Sequence, residues 1–384
     1  MRPQATLTPL CSAVALATLL ATASANAADF KAGDWDLSVG GIVNAYYTST
    51  NCSGSQAVTG LALATKALGC GGADGRTVIG NGLLPNALIT SVKGRQEGID
   101  IGGTLLIGAA VSSSDSISNN NNVDVRQGFF TVGTPEYGTL KIGRDQGLFG
   151  DVIFADMTLL GAGAPVAGTQ ANRVTLGHIG AGYTYLGYYG QIAYSLPTTG
   201  GFGLSVALMS PVNAFANPAY TGQRSPQVQA KASFAFTGGK AWLAMKSQSF
   251  KGAAPAKDFT MKGLELGGQF TLGDLGLLAN VQTGTGMGVL ADGDNGDHKS
   301  TAVLLQGTYK VTAKAKLGLS YGTTKLKDST TTALKENNNT TLGLYYSLTK
   351  SVTLVGELSS TRSKSAAGET ARMSGVALGG ILFF

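Results

Sequence analysis

Histidine is the side chain best suited to moving protons near neutral pH, and this 384-residue chain has two, His178 and His298. Hydrolysis by a Ser–His pair needs the base within hydrogen-bond reach of its nucleophile. His178 lies in LGHIGAGYTY (176–185) with no serine beside it, and His298 follows the acidic run DGDNGD (292–297). That run lacks the spacing of a helix–loop–helix calcium site, because Val303 stands where the twelfth-position Glu is needed. It reads as a solvated loop. The expectation is a chain with no catalytic residue, no metal and no cofactor.

What remains is fixed charge. Arg95, Arg126, Arg144 and Arg173 gather, with His178, around a segment whose only acids are Asp151 and Asp156, in FGDVIFADMTLL. The net charge is +6 with a pI near 9.1. The positive residues are scattered singly, and no basic run or module marks a nucleic-acid surface. Charges of this kind do chemistry when a low-dielectric wall focuses their field on a narrow aperture. They need elements to hold them there.

Those elements are strands. Charged residues are 13% of the chain and apolar ones 43%, with 56 glycines; soluble domains carry about 25% charge. In WDLSVGGIVNAYY (35–47), Trp35, Leu37, Val39, Val43, Ala45 and Tyr47 share one face and Asp36, Ser38 and Asn44 the other. KASFAFTGGKAWLAMKS (231–247) is two such runs around a Thr-Gly-Gly turn. The period-2 pattern predicts sixteen strands, near 35–48, 86–96, 98–112, 123–134, 137–146, 181–197, 201–211, 226–237, 240–250, 258–272, 275–286, 299–311, 314–327, 338–349, 352–364 and 371–384. Their connections alternate strictly between long polar loops and tight turns. An even strand count with sorted loops is the pattern of a transmembrane barrel, whose closure pairs every backbone group that lipid would leave unsatisfied.

The N-terminus fits export. An apolar stretch (10–25) follows Arg2, and Ala25-Asn26-Ala27 supplies a small-x-small cleavage signal, giving a leader over 1–27 and a single domain over 28–384. Only Cys52 and Cys70 remain beyond it, in one Gly/Ser/Ala-rich segment, so a local disulfide is expected in an oxidising compartment.

From these features, and above all from VDVRQGFFTVGTPEYGTLKIGRDQGLFGD (123–151), the chain resembles the trimeric porins of Gram-negative outer membranes. The resemblance implies a 16-stranded barrel assembling as a homotrimer. Its third loop, here 147–180, would fold into the lumen as a constriction. It also implies an eyelet in which Arg144 and His178 on the wall face Asp151 and Asp156; Arg126, Arg95 and Arg173, clustered in the sequence around the same loop, are expected on that basic side too. The terminal Phe384 matches that family's assembly signal, read by the outer-membrane insertion machinery. Other expected partners are outer-membrane lipids, lipopolysaccharide and small solutes, with no nucleic acid. Alternation places Arg144 on the outward face beside Leu140 and Ile142, so an eyelet role requires a bulge at Gly143. Pro135-Glu136-Tyr137-Gly138 falls in a short turn, which leaves Glu136 outside the eyelet. Tyr183, Tyr185, Tyr188, Tyr189 and Tyr194 read as an interfacial girdle. The expected function is passive diffusion of small hydrophilic solutes with mild anion preference. The apolar, small-residue run LLGAGAPVAG (159–168) adds the alternative of a channel for small organic or aromatic acids.

Overall fold

The computed structural model describes residues 27–55, 58, 60–109, 123–163, 175–327 and 333–384. Arg173 and all but the last residue of the expected leader lie outside them. A short β1 (Ala28–Ala32) folds back on β2 (Trp35–Gly54), which also pairs with β3 (Gly75–Gly80). Next come β4 (Asn86–Gln96), β5 (Ile99–Ala109), β6 (Val123–Thr134), β7 (Gly138–Gln146), β8 (Tyr188–Ser195) and β9 (Phe202–Met209). The chain continues through β10 (Tyr220–Gly222), β11 (Gln227–Phe236), β12 (Gly239–Gly252), β13 (Phe259–Leu272), β14 (Leu275–Thr285) and β15 (Lys299–Lys310). It ends in β16 (Ala315–Lys327), β17 (Leu334–Ser347), β18 (Val352–Ser365) and β19 (Thr370–Phe383).

Setting aside the short β1, β3 and β10, sixteen described strands form one antiparallel sheet that closes where β19 pairs with β2. Closure is completed at the last residue: Gly41 N–H donates to the Phe384 carbonyl at 2.7 Å and Phe384 N–H to the Gly41 carbonyl at 3.1 Å. A closed sheet has no unpaired edge, which is the only way strands can cross hydrocarbon. The outward row of β19 is Val376, Leu378, Gly380, Leu382 and Phe384, as alternation predicts. Leu266, Leu319, Leu358 and Leu378 are all more than half exposed on the outer wall, an apolar surface suited to lipid.

One expected strand is shorter than its sequence suggests. The run 181–197 enters the sheet only at Tyr188. Residues 175–187 stay folded inside the barrel, held by isolated bridges Gly163↔Gly177 and Ile179↔Tyr183. Gly180, at φ +81°, suits this packed path: a Cβ there would stand 2.4 Å from Leu290.

The inside is not uniform. Toward the long-loop end, three loops fold inward and pack together. Ala62, Leu63, Ala64 and Leu83 of the first meet Val152, Leu159, Leu176, Ile179 and Tyr183 of the third, and Val289 and Leu290 of a later one. The expected disulfide is present, joining Cys52 on β2 to Cys70 just beyond the short helix α1 (Lys66–Gly69). Toward the short-turn end the inward rows are polar and open.

Candidate functional site

The third loop is laid across the lumen by the wall's own polar side chains. Gln229 on β11 accepts the amides of Leu148 and Phe149 at 2.7 and 2.9 Å. Glu265 on β13 accepts Gly150 N–H at 2.6 Å. Gln306 on β15 accepts Met157 N–H at 2.7 Å and donates to the Ala155 carbonyl at 3.1 Å. Glu357 on β18 accepts both Ala162 and Gly163 amides at 2.7 Å, while Tyr46 on β2 donates to the Leu160 carbonyl at 2.5 Å. A loop in irregular backbone would otherwise carry unpaired amides into a desolvated space, at about 1–3 kcal/mol each. The inward Gln and Glu of four separate strands remove that cost.

The two described acids of the third loop have partners other than those expected. Asp151 is bridged by Lys231 of β11 at 3.1 Å and Lys240 of β12 at 3.4 Å. Burial pushes its carboxyl up, and the two ammoniums outweigh that and hold it below the usual carboxylate range. Asp156 faces His178 at 2.9 Å and accepts from Tyr183 Oη at 2.7 Å and Thr158 N–H at 2.9 Å. Its burial is likewise outweighed, chiefly by His178, so it too is held low. Burial beside Asp156 drives the Tyr183 hydroxyl well above its ordinary pKa, so it remains a donor.

The basic side is therefore corrected. His178 is not a wall residue; it belongs to the same loop as Asp156 and is fully buried. Arg144 is exposed on the outward face, because β6 and β7 stay in regular register through Gly143↔Phe129 with no bulge there. The register shift lies one strand earlier, at Leu106/Ile107, opposite the stretch that holds Arg126. Arg126 is taken up by Asp124 and sits 5.4 Å from the Tyr188 ring centroid, away from Asp151 and Asp156. Arg95 pairs with Asp100 at 3.1 Å at the short-turn rim. The tyrosines also divide: Tyr188 and Tyr194 lie on the outward row of β8, whereas Tyr189 faces in and Tyr183 is buried in the loop. Lys231 and Lys240 were missed, although both stand on inward rows that alternation assigns.

The fold also brings a serine to His178. Ser320 Oγ on β16 lies 3.2 Å from Nε2, and Nδ1 faces Asp156, so Ser320, His178 and Asp156 line up as a nucleophile–base–acid set. The sequence expectation of no nearby serine is overturned. Yet Ser320 is 1% exposed and His178 fully covered. The set works as a clamp that pins the loop to the wall.

The lumen thus has a third loop pinned across it by ion pairs and hydrogen bonds, an apolar packed side and an open polar side, within a closed 16-stranded barrel. A family model for Gram-negative porins matches residues 12–366. The chain belongs to that family. It is an outer-membrane β-barrel channel for solute diffusion, crossing the membrane with many strands. Solved structures agree in fold. The outer-membrane channel DcaP of Acinetobacter baumannii superposes with a TM-score of 0.70 at 16% identity, covering 93% of this chain and all of DcaP. OmpF of Salmonella typhi gives 0.58 at 12% identity, covering 92% and 100%. OmpT of Vibrio cholerae, solved in a trimer form, gives 0.54 at 13% identity, covering 90% and 99%. No curated protein sequence matches the chain. With the porin orientation, long loops face outside and short turns face the periplasm.

Proposed function

We propose that this porin passes small anions in preference to cations, and that small organic acids are its favoured solutes. The observation that carries the reading is the state of the lumen charges. Of the described acids of the third loop, Asp151 is offset by the two ammoniums of Lys231 and Lys240, and Asp156 is enclosed by His178, Tyr183 and the Thr158 amide. On the periplasmic side, the inward-facing Lys93, Lys310 and Lys316 have no carboxylate within ion-pair distance among the described residues. The field left at and below the constriction is positive, and screening over about 8 Å at physiological salt confines it to the passage.

A second feature favours organic acids over inorganic anions. Lumen lysines lie over aromatic rings: Lys141 over Phe129, Lys240 over Trp242 and Lys316 over Tyr345, each with Nζ 5.2–5.3 Å from the centroid. Trp242 and Tyr345 are buried beneath their lysines and Phe129 is partly exposed, so Lys141 beside Phe129 is where an ammonium borders apolar lumen surface, a match for a carboxylate on a hydrocarbon body. Passage through a porin needs no covalent step, and the Ser320–His178–Asp156 set offers a substrate no entry; a hydrolase reading has less support.

The trimeric form of OmpT supports a homotrimer here. Its interface would use the outer wall of β4 to β7, where Leu88, Ile107 and Phe130 are exposed. Phe384 remains the proposed handle for the insertion machinery, and lipopolysaccharide the proposed neighbour of the outer rim.

Single-channel recording in a planar bilayer across a KCl gradient tests the reading. A reversal potential of anion-selective sign, with conductance reduced by millimolar benzoate, is expected. A cation-selective sign would refute it.

A further inference from the structure

Lys310 ends β15 and Lys316 lies one residue into β16, and the two are direct partners in the register of that hairpin. The inward row of β15 is fixed by Gln306, which reaches the third loop, and that of β16 by Ser320, which reaches His178. By parity Lys310 and Lys316 therefore point into the lumen together. Like charges directly opposite across a strand pair are destabilising, so the arrangement needs a compensating group. None is in place among the described residues. Glu357, on the adjoining wall, is already committed: it accepts Tyr345 Oη at 2.6 Å as well as the Ala162 and Gly163 amides. Asp274, at the neighbouring turn, offers Lys310 its backbone carbonyl at 3.0 Å, not its carboxylate.

The pair sits directly beneath the constriction. Met157 of the third loop packs over Gly318, two residues along the same inward row, with Sδ 2.5 Å from where a Cβ would stand. Beside them, Tyr345 is the register partner of Lys316, and its ring lies against the Lys316 ammonium. Lys310 is exposed and Lys316 half-buried.

We propose that Lys310 and Lys316 form an anion subsite, which receives the carboxylate of a small organic acid on the periplasmic side of the third loop. The inference rests on the anion reading above. A carboxylate between two ammoniums relieves their repulsion and gains two charge-assisted hydrogen bonds. Lys231 and Lys240 are occupied by Asp151, whereas Lys310 and Lys316 have no ion-pair partner among the described residues.

The test is benzoate block of single channels, with benzoate added to the periplasmic side. Wild-type protein is expected to show brief, concentration-dependent closures. Lys310→Gln with Lys316→Gln should weaken that block roughly tenfold or more, the scale of one charged hydrogen bond, and Lys310→Arg with Lys316→Arg should restore it. The Gln pair should also leave the unfolding temperature unchanged or higher, because repulsion is removed. Unchanged block in the Gln pair would overturn the subsite, as would a lowered unfolding temperature with block intact, the mark of lysines that only staple the hairpin. A wild-type channel with cation-selective reversal potential would instead remove the reading beneath it.

Discussion

The two ends of the lumen are built on opposite principles. Toward the outside, three loops bury leucine, valine and alanine against one another like the interior of a soluble domain, and Cys52–Cys70 ties one of them to the wall. Toward the periplasm, the same strands present lysine and threonine to water. The outer half controls how wide the passage is, because packed side chains do not yield continuously. On the proposed anion reading, the inner half sets which charge passes. Width and selectivity are therefore set by different residues and should fail separately.

The largest effect is expected where the constriction is tied. Glu357→Ala would strand the Ala162 and Gly163 amides and the Tyr345 hydroxyl, costing on the order of 3 kcal/mol or more from unsatisfied buried groups. Conductance should rise several-fold while reversal potential keeps its sign. A changed sign with unchanged conductance would show that width and selectivity are not divided as argued.

Next is the disulfide. Opening it with a reductant, or by Cys52→Ser with Cys70→Ser, should cost roughly 3 kcal/mol in the chain-entropy model for a loop of this length. The helix α1 and the buried Leu63 beside it should loosen first, seen as faster amide exchange over 60–72 than over the strands. Equal exchange in both would mean that packing alone holds the lid.

Acid acts on the loop in a definite direction. Asp151 and Asp156 are both held below the ordinary carboxylate pKa of about 3.9. Depressed folded-state values contribute stability that is present above the unfolded value and lost as pH falls through the folded one. The constriction should therefore stay seated at neutral and mildly acidic pH, with current noise growing only below about pH 4. Asp294 behaves oppositely. Burial pushes its carboxyl up to about 6, against the amides of Val289, Leu290 and Ala291 that favour its charge. Its contribution is complete below the unfolded value and declines as pH rises through about 6. Asp294→Asn should flatten any change in the external loop between pH 4 and 6, leaving the acid limb of the constriction intact.

Much of this was legible in the sequence. Sixteen strands follow from period-2 alternation because one face of each must meet lipid. The disulfide follows from two cysteines in one exported segment, and the outward position of Phe384 from parity. The constriction partners were not legible for a physical reason. Asp151 finds Lys231 and Lys240 across 80 and 89 residues of sequence, through a loop whose path depends on packing, not period. Alternation shows that those lysines face inward, but not that the loop reaches them. Ser320, 142 residues from His178, was hidden in the same way. Arg144 was the reverse case: parity gave its outward position correctly, and the bulge invoked to bring it inside belongs to the neighbouring strand.

That case yields the smallest and sharpest prediction. Lys231→Gln with Lys240→Gln removes both partners of Asp151 and leaves a buried charge uncompensated in the passage. The reversal potential should move toward cations by a readily measured amount. Arg144→Gln removes a charge of the same sign from the outer wall, where low-dielectric barrel and solvent screening separate it from the lumen. It should leave reversal potential within error of wild type, while altering only the outer surface of the barrel. If Arg144→Gln shifts selectivity as much as the lysine pair, the arginine reaches the pore, and the charge map of the constriction drawn from Lys231, Lys240 and Asp151 is incomplete.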